Sequence, residues 1–316
     1  MMSKIKHFIA LLKLEELILL FAVLAVLFLS FCVTGQFHLG QAGRIGNFFA
    51  LICSFSLLFV GLHDVFCAEE SVTTLALAGK IVCRSFTVLR DWLPLYFALS
   101  LYSCLYGLIS LFNPNDQDAL LLAIDRFIFG ETPAVLMQSW TSGWLTELMS
   151  FCYLTMMAYP PALLLFVHWR STKSAFHRVT VGLMVICLLG YCGYVIVPAI
   201  GPLFYIPQHF EEPLESGLLS KIRSDLDEEA RNPRDCFPSM HVAVPFLMLL
   251  YSWKYYRPFL IIGAPIFVGI FISTMYLRYH YFIDLVAGLF LAAFVYRYGS
   301  HLDKWWATKQ KLLSEG

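Results

Sequence analysis

The sequence predicts an all-α protein, a polytopic membrane helical bundle with about eight transmembrane helices. Two observations lead to this prediction. Of the 316 residues, 59% are hydrophobic and only 14% are charged, and the mean hydropathy of +0.70 lies far above that of soluble domains. The apolar residues also come in runs long enough to cross a bilayer as helices. A formal net charge of zero, without a basic run or a Gly-rich phosphate loop, gives no indication of nucleic-acid or nucleotide binding.

The first predicted span follows three lysines, Lys4, Lys6 and Lys13. A secretory signal peptide begins in the same way, but no small-residue cleavage site follows and the run is long enough to span. Internal prolines in later runs predict bends instead of breaks, because neighbouring helices can satisfy the carbonyls that proline leaves free. In chain order, the predicted spans are residues 16–33, 47–66, 93–112, 145–167, 179–197, 241–253, 259–276 and 281–296.

The distribution of lysine and arginine predicts the orientation of these spans. Of the 22 such residues, 15 lie in the set of segments that includes both chain termini, so this set is predicted to be cytoplasmic. Residues 198–240 and 277–280 would then face the periplasm, the cell exterior or an organelle lumen. Cytosolic phosphate donors such as ATP are scarce there, so a reaction at this face should draw its phosphate from a membrane lipid.

A short motif, CFPSMH at residues 236–241, lies where a polar loop meets an apolar run. Proline is favoured at the first helical position, so Pro238 is predicted to open a helix. The amides of Ser239, Met240 and His241 would then have no intrahelical partner and would lie at the positive end of the helix. Because such an end binds phosphate, the motif predicts a phosphate site beside an imidazole.

A second motif, MYLRYHYFIDLVAG at residues 275–288, lies at the start of the last apolar run. Within it, His280 and Asp284 are spaced i, i+4, which places an imidazole and a carboxylate on one face of a helix. Ionisable residues at membrane depth are costly and are usually functional. Together the two motifs predict that His241, His280 and Asp284 surround one anion site.

The nine cysteines are scattered, mostly within apolar runs, and form no CxxC pair. They are therefore predicted to be packing residues, with neither a zinc site nor a disulfide framework. No metal and no other cofactor is predicted, and no pattern in the chain predicts an oligomeric state.

Two polar segments could contribute to the same face. Residues 113–144 predict an amphipathic helix at the membrane surface, ending in Trp140 and Trp144. This helix could act only as a brace, or its Arg126 could reach the phosphate site. Residues 198–240 begin with GPLFYIP and continue as a mixed-charge tract, which is typical of a solvated loop. Its basic residues, which could add positive charge to the site, are Lys221, Arg223, Arg231 and Arg234.

PSMH followed by HxxxD at a helix start resembles the phosphatidic acid phosphatase type 2 (PAP2) superfamily, which includes lipid phosphatases and phosphotransferases. The segments GPLFYIP, CFPSMH and STMYLRYHYFIDLVAG most resemble the inositol phosphorylceramide synthase-like, or aureobasidin-resistance protein-like, branch, with sphingomyelin synthases more distant. The resemblance implies a catalytic membrane domain with a six-helix PAP2-like core over residues 90–297. A two-helix addition at residues 1–89 would precede it, and a cytoplasmic tail at residues 298–316 would follow.

The resemblance implies a role for each matching residue. His280 aligns with the nucleophile, which forms a phosphohistidine, and Asp284 aligns with the acid that orients it. His241 aligns with the general acid that protonates the leaving oxygen and later activates water or an alcohol. Ser239 and the amides beside it would bind phosphate oxygens.

The sequence departs from the superfamily pattern at two places. The first motif, which combines a lysine with a later Arg-Pro pair, is absent near residues 198–221, and Thr274 stands where an arginine is expected. Both changes remove cations from the phosphate site, and Arg278 and Arg126 are the candidates to replace them. Because the synthase branch has the same losses, they favour a phosphotransferase without excluding a hydrolase. The predicted substrate-binding residues are Ser239, Arg278, Arg126, Gly201 and Pro202.

The sequence therefore predicts an integral-membrane lipid phosphatase or phosphotransferase that acts on a lipid phosphate ester at the extracytoplasmic face, without a metal. Its partner would be a membrane lipid, either a lipid phosphate or a phospholipid. Transfer of a phospho-headgroup to a lipid alcohol, as in inositol phosphorylceramide synthases, is one alternative. A non-catalytic carrier or binding protein for lipid phosphates is another, because bent helices with an external acid and base would also suit a proton relay.

Overall fold

The computed structural model describes residues 12–34, 74–105, 108–211 and 213–315. Within these ranges every regular element is helical and no strand occurs. The predicted second span, residues 47–66, lies outside the described residues. The helices are α1 Leu14–Thr34, α2 Thr74–Cys104, α3 Leu108–Phe112, α4 Asp118–Phe129, α5 Pro133–Leu136, α6 Gly143–Arg170, α7 Lys173–Ile196, α8 Pro202–Tyr205, α9 Leu218–Ala230, α10 Met240–Tyr255, α11 Pro258–Tyr276 and α12 Phe282–Glu315, with 3₁₀ helices at Met137–Trp140 and Pro207–His209.

Four of the described helices are long and apolar enough to cross a membrane, namely α6, α7, α11 and the Phe282–Leu313 part of α12. They match the fourth, fifth, seventh and eighth predicted spans and confirm the class of an all-α membrane bundle. The sixth predicted span corresponds to α10, which has 16 residues. Such a helix is about 24 Å long, which is short of the roughly 30 Å hydrocarbon core of a bilayer. Four of the eight predicted spans are therefore confirmed by helices in the described part of the chain.

Helix α2 begins earlier than the sequence predicts. The pattern of charges indicates a cytoplasmic loop over residues 67–91 and a span from residue 93, whereas α2 is continuous from Thr74 to Cys104. Lys80, Arg84 and Arg90 therefore lie on a helix. Lysine and arginine are good helix formers, so their polarity marks exposure to water but not the end of a helix.

Helix α10 lies at the centre of the bundle and packs against α6, α7, α11 and α12. Buried Ile186, Leu247 and Ala292 belong to the core cluster that joins α7, α10 and α12. At Gly288 on α12, an added Cβ would lie only 2.6 Å from the carbonyl oxygen of Ser239. Glycine thus permits the starts of α10 and α12 to approach, and this approach brings the two sequence motifs together.

Ion pairs hold the other end of the bundle together. The two ring nitrogens of His177 on α7 lie 2.8 Å from Glu15 and 2.7 Å from Asp303. Lys13 pairs with Asp91 nearby. These contacts join α1, α2, α7 and α12 at the end that lies away from the starts of α10 and α12.

The surface helix predicted within residues 113–144 is present as α4. One side of α4 is buried and includes Leu121 and Leu122, while Phe127 on the other side is 92% exposed. The buried side also carries two carboxylates, Asp118 and Asp125. Because carboxylates are rarely buried without partners, their contacts indicate what α4 supports.

Candidate active site

His280 lies in the tight connection between α11 and α12. The amides of Tyr279 and His280 donate to the carbonyl oxygen of Thr274, at 3.0 and 3.3 Å. Helix α12 begins only at Phe282, so the prediction that His280 and Asp284 share a helix is wrong. The contact that it implied is nevertheless present, because Nδ1 of His280 lies 3.4 Å from Oδ2 of Asp284 in the first turn of α12. A single turn after His280 is sufficient to bring the carboxylate back to the ring.

Asp284 is fully buried and contacts both motifs. Its Oδ2 accepts hydrogen bonds from the N–H of Tyr281 and the thiol of Cys236, each at 2.9 Å. Its Oδ1 is buried and finds no hydrogen-bond partner within the ranges that the structure describes. The Cys236 sulfur also lies 3.5 Å from Nδ1 of His280. Burial and the neighbouring Asp284 raise the pKa of the Cys236 thiol, which favours the protonated form that donates to the carboxylate.

The start of α10 differs from the prediction. The helix begins at Met240 with Ser239 at its N-cap, so Pro238 does not open it. The N–H of Ser239 donates to the carbonyl oxygen of Asp284 at 3.1 Å. This amide, expected to bind phosphate, is used instead to dock α10 against α12. The Ser239 hydroxyl, in contrast, is fully buried and has no hydrogen-bond partner in the described part of the chain.

The two motif histidines are in direct contact. Nδ1 of His241 lies 3.1 Å from Nε2 of His280. Because Nδ1 of His280 faces Asp284, its Nε2 is the nitrogen that is directed toward His241. The tertiary structure therefore brings together all three residues that the sequence analysis put forward for the chemistry.

The second nitrogen of His241 contacts a network that the sequence analysis missed. Its Nε2 lies 2.8 Å from the hydroxyl of Tyr153 on α6, and the two rings stack with their centroids 5.0 Å apart. The Tyr153 hydroxyl also lies 3.4 Å from Oδ1 of Asp227 on α9, and Oδ2 of Asp227 accepts from the Tyr279 hydroxyl. Burial raises the pKa of Asp227, while the bond from Tyr279 and the charge of Arg223 lower it.

The sequence analysis missed Tyr153 and Asp227 for different reasons. Tyr153 stands in an apolar run, where an aromatic residue is normally part of the core. Asp227 stands in the mixed-charge tract, which was expected to be a solvated loop but contains helix α9. The i, i+4 spacing of Arg223 and Asp227 was the available signal, because it predicts an ion pair on one helical face, and the pair is present at 3.6 Å.

The two candidate cations lie in different surroundings. Arg278, which has a positive φ of 68°, is 3% exposed, and its guanidinium lies 4.3 Å from the centre of the Phe210 ring. Arg126 is bound to Glu131 at 2.8 Å on the exposed side of α4. In the described part of the chain, the hydrogen bonds of the Arg126 side chain go to Glu131 and not to the histidines. Helix α4 therefore fits the alternative in which it acts only as a brace.

Gly201 and Pro202 support the connection that carries His280. The N–H of Gly201 donates to Oδ1 of Asp118 at 2.9 Å, and proline has no N–H, so neither residue offers an amide to substrate. Gly201 has a φ of 87°, and a side chain there would collide with the carbonyl oxygen of Tyr279. The GPLFYIP segment thus fits tightly against the His280 connection, and the contact of Gly201 and Pro202 with substrate stays a prediction.

The buried carboxylates of α4 hold the same connection, and the sequence analysis missed them. Asp118 accepts from the N–H of Ile200 at 2.9 Å and from the hydroxyl of Tyr281 at 3.0 Å. Asp125 accepts from the N–H of Phe282 at 2.9 Å, at the start of α12. Burial raises the pKa of both carboxyls, and the hydrogen bonds that they accept oppose this. Carboxylates on the apolar side of an amphipathic helix were the signal that could have revealed them.

A cavity of about 550 Å³ adjoins the network around His241. Tyr279 and Asp227 form part of its wall, together with Arg223, Arg231 and Arg278. The cavity therefore presents both charge signs next to Tyr279 and Asp227, which are connected to His241 through Tyr153.

Comparison with known proteins agrees with the geometry. A family model described as PAP2 superfamily matches residues 119–298, a range that contains all three residues of the cluster. A PA-phosphatase related-family protein of Dictyostelium discoideum is 36% identical over 109 residues, which is 33% of this chain. The match spans 20% of the length of that relative, and no solved structure matches the chain. Because the family model covers more than half of the sequence and includes both histidine motifs, the chain belongs to the PAP2 superfamily.

Proposed function

We propose that this protein cleaves or transfers a phosphate ester of a membrane lipid, with Nε2 of His280 as the nucleophile. The observation that carries the proposal is the line of groups Asp284, His280 and His241, joined by separations of 3.4 and 3.1 Å. Membership of the PAP2 superfamily and the similarity to a PA-phosphatase related protein support the same chemistry.

In the first step, the Nδ1–H of His280 faces Oδ2 of Asp284 and donates to it, so the lone pair of the neutral ring lies on Nε2. Nε2 forms a bond to phosphorus while the bond from phosphorus to the ester oxygen breaks. His241, protonated on both nitrogens, gives the proton on Nδ1 to the leaving oxygen. The products of this step are a lipid alcohol, or another alcohol, and a phosphohistidine at position 280.

In the second step, the now neutral His241 acts as the base. Its Nδ1 takes a proton from water or from an acceptor alcohol, whose oxygen attacks phosphorus and releases Nε2 of His280. Attack by water gives hydrolysis and attack by an alcohol gives transfer. The protein returns to its starting state in both cases, so one set of side chains serves both outcomes.

Positive groups at the starts of the helices would bind the phosphate oxygens. The Ser239 hydroxyl is buried and has no hydrogen-bond partner in the part of the chain that the structure describes, and the first amides of α10 follow it at the positive end of that helix. Arg278 lies two residues before the nucleophile and is the nearby cation in sequence. We therefore assign the phosphate to the space bounded by the two histidines and Ser239.

The substrate is proposed to enter from the extracytoplasmic leaflet. The lysine and arginine distribution supports this orientation, and the ion-paired end of the bundle, with Lys13, His177 and Asp303, lies away from the histidines. A lipid phosphate in that leaflet would carry its own phosphorus to the site and would need no cytosolic donor.

Transfer to an alcohol is the second candidate, and the cavity beside Tyr279 favours it. Its lining combines arginines and Asp227 with apolar residues such as Leu214 and Leu277, and the charged part of this wall suits a polar headgroup or polyol. Such a group would lie next to the network around His241, which is the residue that activates the acceptor. This activity would be of the inositol phosphorylceramide synthase-like type.

A labelled lipid phosphate, incubated with the purified protein in the presence of a chelator and with or without inositol, tests both candidates. His280→Gln is the matched variant, because the amide keeps a polar contact but cannot attack phosphorus. Phosphate release by the wild type alone indicates hydrolysis through His280, and a new phosphodiester lipid indicates transfer. Equal turnover by wild type and variant would exclude His280 as the nucleophile.

A further inference from the structure

Three side chains at the base of the site form a compact group of metal-ligand atoms. They are Sγ of Cys236, Nδ1 of His280 and Oδ2 of Asp284, all within 4.8 Å of one another. The separations are 2.9 Å from sulfur to oxygen, 3.5 Å from sulfur to nitrogen and 3.4 Å from nitrogen to oxygen. All three residues are buried.

These separations suit one small tetrahedral cation. At the usual bond lengths, the ligands of tetrahedral zinc stand roughly 3.3–3.6 Å from one another. Two of the three separations fall in this range, and the third would lengthen when zinc replaces the thiol hydrogen between sulfur and carboxylate. A thiolate, an imidazole and a carboxylate are also donors that zinc accepts, whereas magnesium and calcium prefer oxygen alone.

Charge and hydrogen bonding favour the same occupant. A thiolate and a carboxylate together neutralise a divalent cation, so the occupied site carries no net charge in a buried place. The second carboxylate oxygen, Oδ1 of Asp284, is buried and has no hydrogen-bond partner among the described residues. It offers either a further bond to the metal or a hydrogen-bond acceptor for a water that completes the coordination.

We propose that Cys236, His280 and Asp284 bind one zinc ion and that zinc bound there inhibits the protein. The spacing of the ligands in the sequence gave no zinc signature, because Cys236 stands 44 and 48 residues before the other two. Only the docking of α10 against α12 assembles the group.

Zinc would inhibit the protein by changing which atoms of Cys236 and His280 carry a proton. This part of the proposal rests on the proposed function. Zinc displaces the hydrogen from Sγ of Cys236, which is released to solvent as a proton. It also requires the lone pair on Nδ1 of His280, so the single proton of the neutral ring moves to Nε2. Nε2 is the atom that would attack phosphorus, and once protonated it has no lone pair for the attack.

Metal binding to the full-length protein, in detergent and without an affinity tag that binds metals, tests the site independently of activity. Cobalt(II) is a spectroscopic substitute for zinc, because a cobalt–thiolate bond gives a charge-transfer absorption band that zinc abolishes on displacement. We expect this band in the wild type, and its loss in Cys236→Ser, which keeps a hydroxyl to donate to Asp284. Cys192→Ser is the matched control, because Cys192 is exposed on α7, and it should keep the band. Absence of the band in the wild type, or its persistence in Cys236→Ser, overturns the zinc site.

Zinc titration of the lipid-phosphate reaction gives the second measurement. The zinc concentration for half-maximal inhibition should rise by at least about tenfold in Cys236→Ser, relative to that variant's own activity without metal. A cobalt band without any turnover would leave the zinc site standing and would count against the proposed enzyme activity. Equal zinc inhibition of the wild type and Cys236→Ser would show that zinc inhibits elsewhere, and would overturn the inhibitory role.

Discussion

The hydroxyl of Tyr153 lies 2.8 Å from Nε2 of His241, while Nδ1 of the same ring faces His280. A hydrogen bond on one ring nitrogen fixes the orientation of the ring and the proton on the other nitrogen. Burial and the neighbouring His280 lower the pKa of His241, and a negative charge on Asp227, on the far side of Tyr153, would oppose this shift. Tyr153 is therefore a positioning residue for the proposed acid step, not for the nucleophile.

Replacement of this hydroxyl tests that role. In Tyr153→Phe we expect kcat to fall by about tenfold to a hundredfold with little change in KM, because the proton donor loses its orientation. The pH at which the rate declines should also move to a lower value, since the protonated imidazole loses a partner. Steady-state kinetics across pH measures both effects.

Tyr159→Phe is the matched control on the same helix. Its hydroxyl contacts Ser252, not a histidine, so the pH profile should stay that of the wild type. A profile unchanged in Tyr153→Phe as well would assign that tyrosine to packing alone.

Removal of the Ser239 hydroxyl should lower activity without lowering stability. Because Oγ is buried and has no hydrogen-bond partner in the described ranges, Ser239→Ala should leave the melting temperature unchanged or slightly raised. Loss of a hydrogen bond to phosphate should lower kcat/KM by about tenfold and weaken competition by inorganic phosphate. Calorimetry and inhibition kinetics measure these quantities.

Ser252→Ala on the same helix should behave in the opposite way. The Ser252 hydroxyl donates to the carbonyl oxygen of Met248 at 2.8 Å, so its loss should lower stability and leave phosphate competition intact. If Ser239→Ala also lowers the melting temperature while phosphate inhibits as before, Ser239 is a structural residue.

Two glycines with positive φ differ in their ψ angles, which are −32° at Gly130 and 161° at Gly201, and in what an added side chain would meet. Gly130 and Gly201 have φ values of 83° and 87°, but only at Gly201 would a Cβ meet another atom, the carbonyl oxygen of Tyr279. Gly130→Ala should cost about 1 kcal/mol of unfolding free energy, from the positive φ alone. Gly201→Ala should cost more and should also lower turnover, because the collision displaces the connection that carries His280.

Denaturant unfolding and turnover of both variants test this pair. Equal losses of stability, together with turnover that stays at the wild-type level in Gly201→Ala, would mean that the connection tolerates displacement without consequence for the site.

The raised pKa of Asp227 predicts a dependence of stability on pH. Burial raises this pKa above its value in the unfolded chain, so the folded protein holds the proton more tightly. By linkage, the stabilisation from this group is present at low pH and is lost as pH rises through the folded-state pKa. As pH rises above the ordinary pKa of an aspartate, Asp227→Asn should therefore lose less stability than the wild type does.

The exposed Asp225 on the same helix supplies the control, and Asp225→Asn should keep the wild-type slope. Melting temperatures measured across this pH range decide the matter. Parallel curves for the wild type and Asp227→Asn would contradict the raised pKa.

The sequence alone determined the class of the protein and the pairing of His280 with Asp284. Runs of apolar residues predict membrane helices because only helices of that length satisfy the backbone in lipid. The i, i+4 spacing of His280 and Asp284 limits how far apart they can lie, so their contact survives even though α12 begins after His280. The motifs around them were also sufficient to predict the superfamily that the family model matches.

Tertiary structure decided what surrounds these groups. Tyr153 lies 88 residues before His241 and Cys236 lies 48 residues before Asp284, so no local spacing relates either pair. Helix α10 begins at Met240 and not at Pro238, and the Ser239 amide at its N-cap donates to the carbonyl oxygen of Asp284 on α12. Such contacts depend on how closely two helices can approach, which Gly288 permits through the absence of a side chain and which local sequence patterns do not encode.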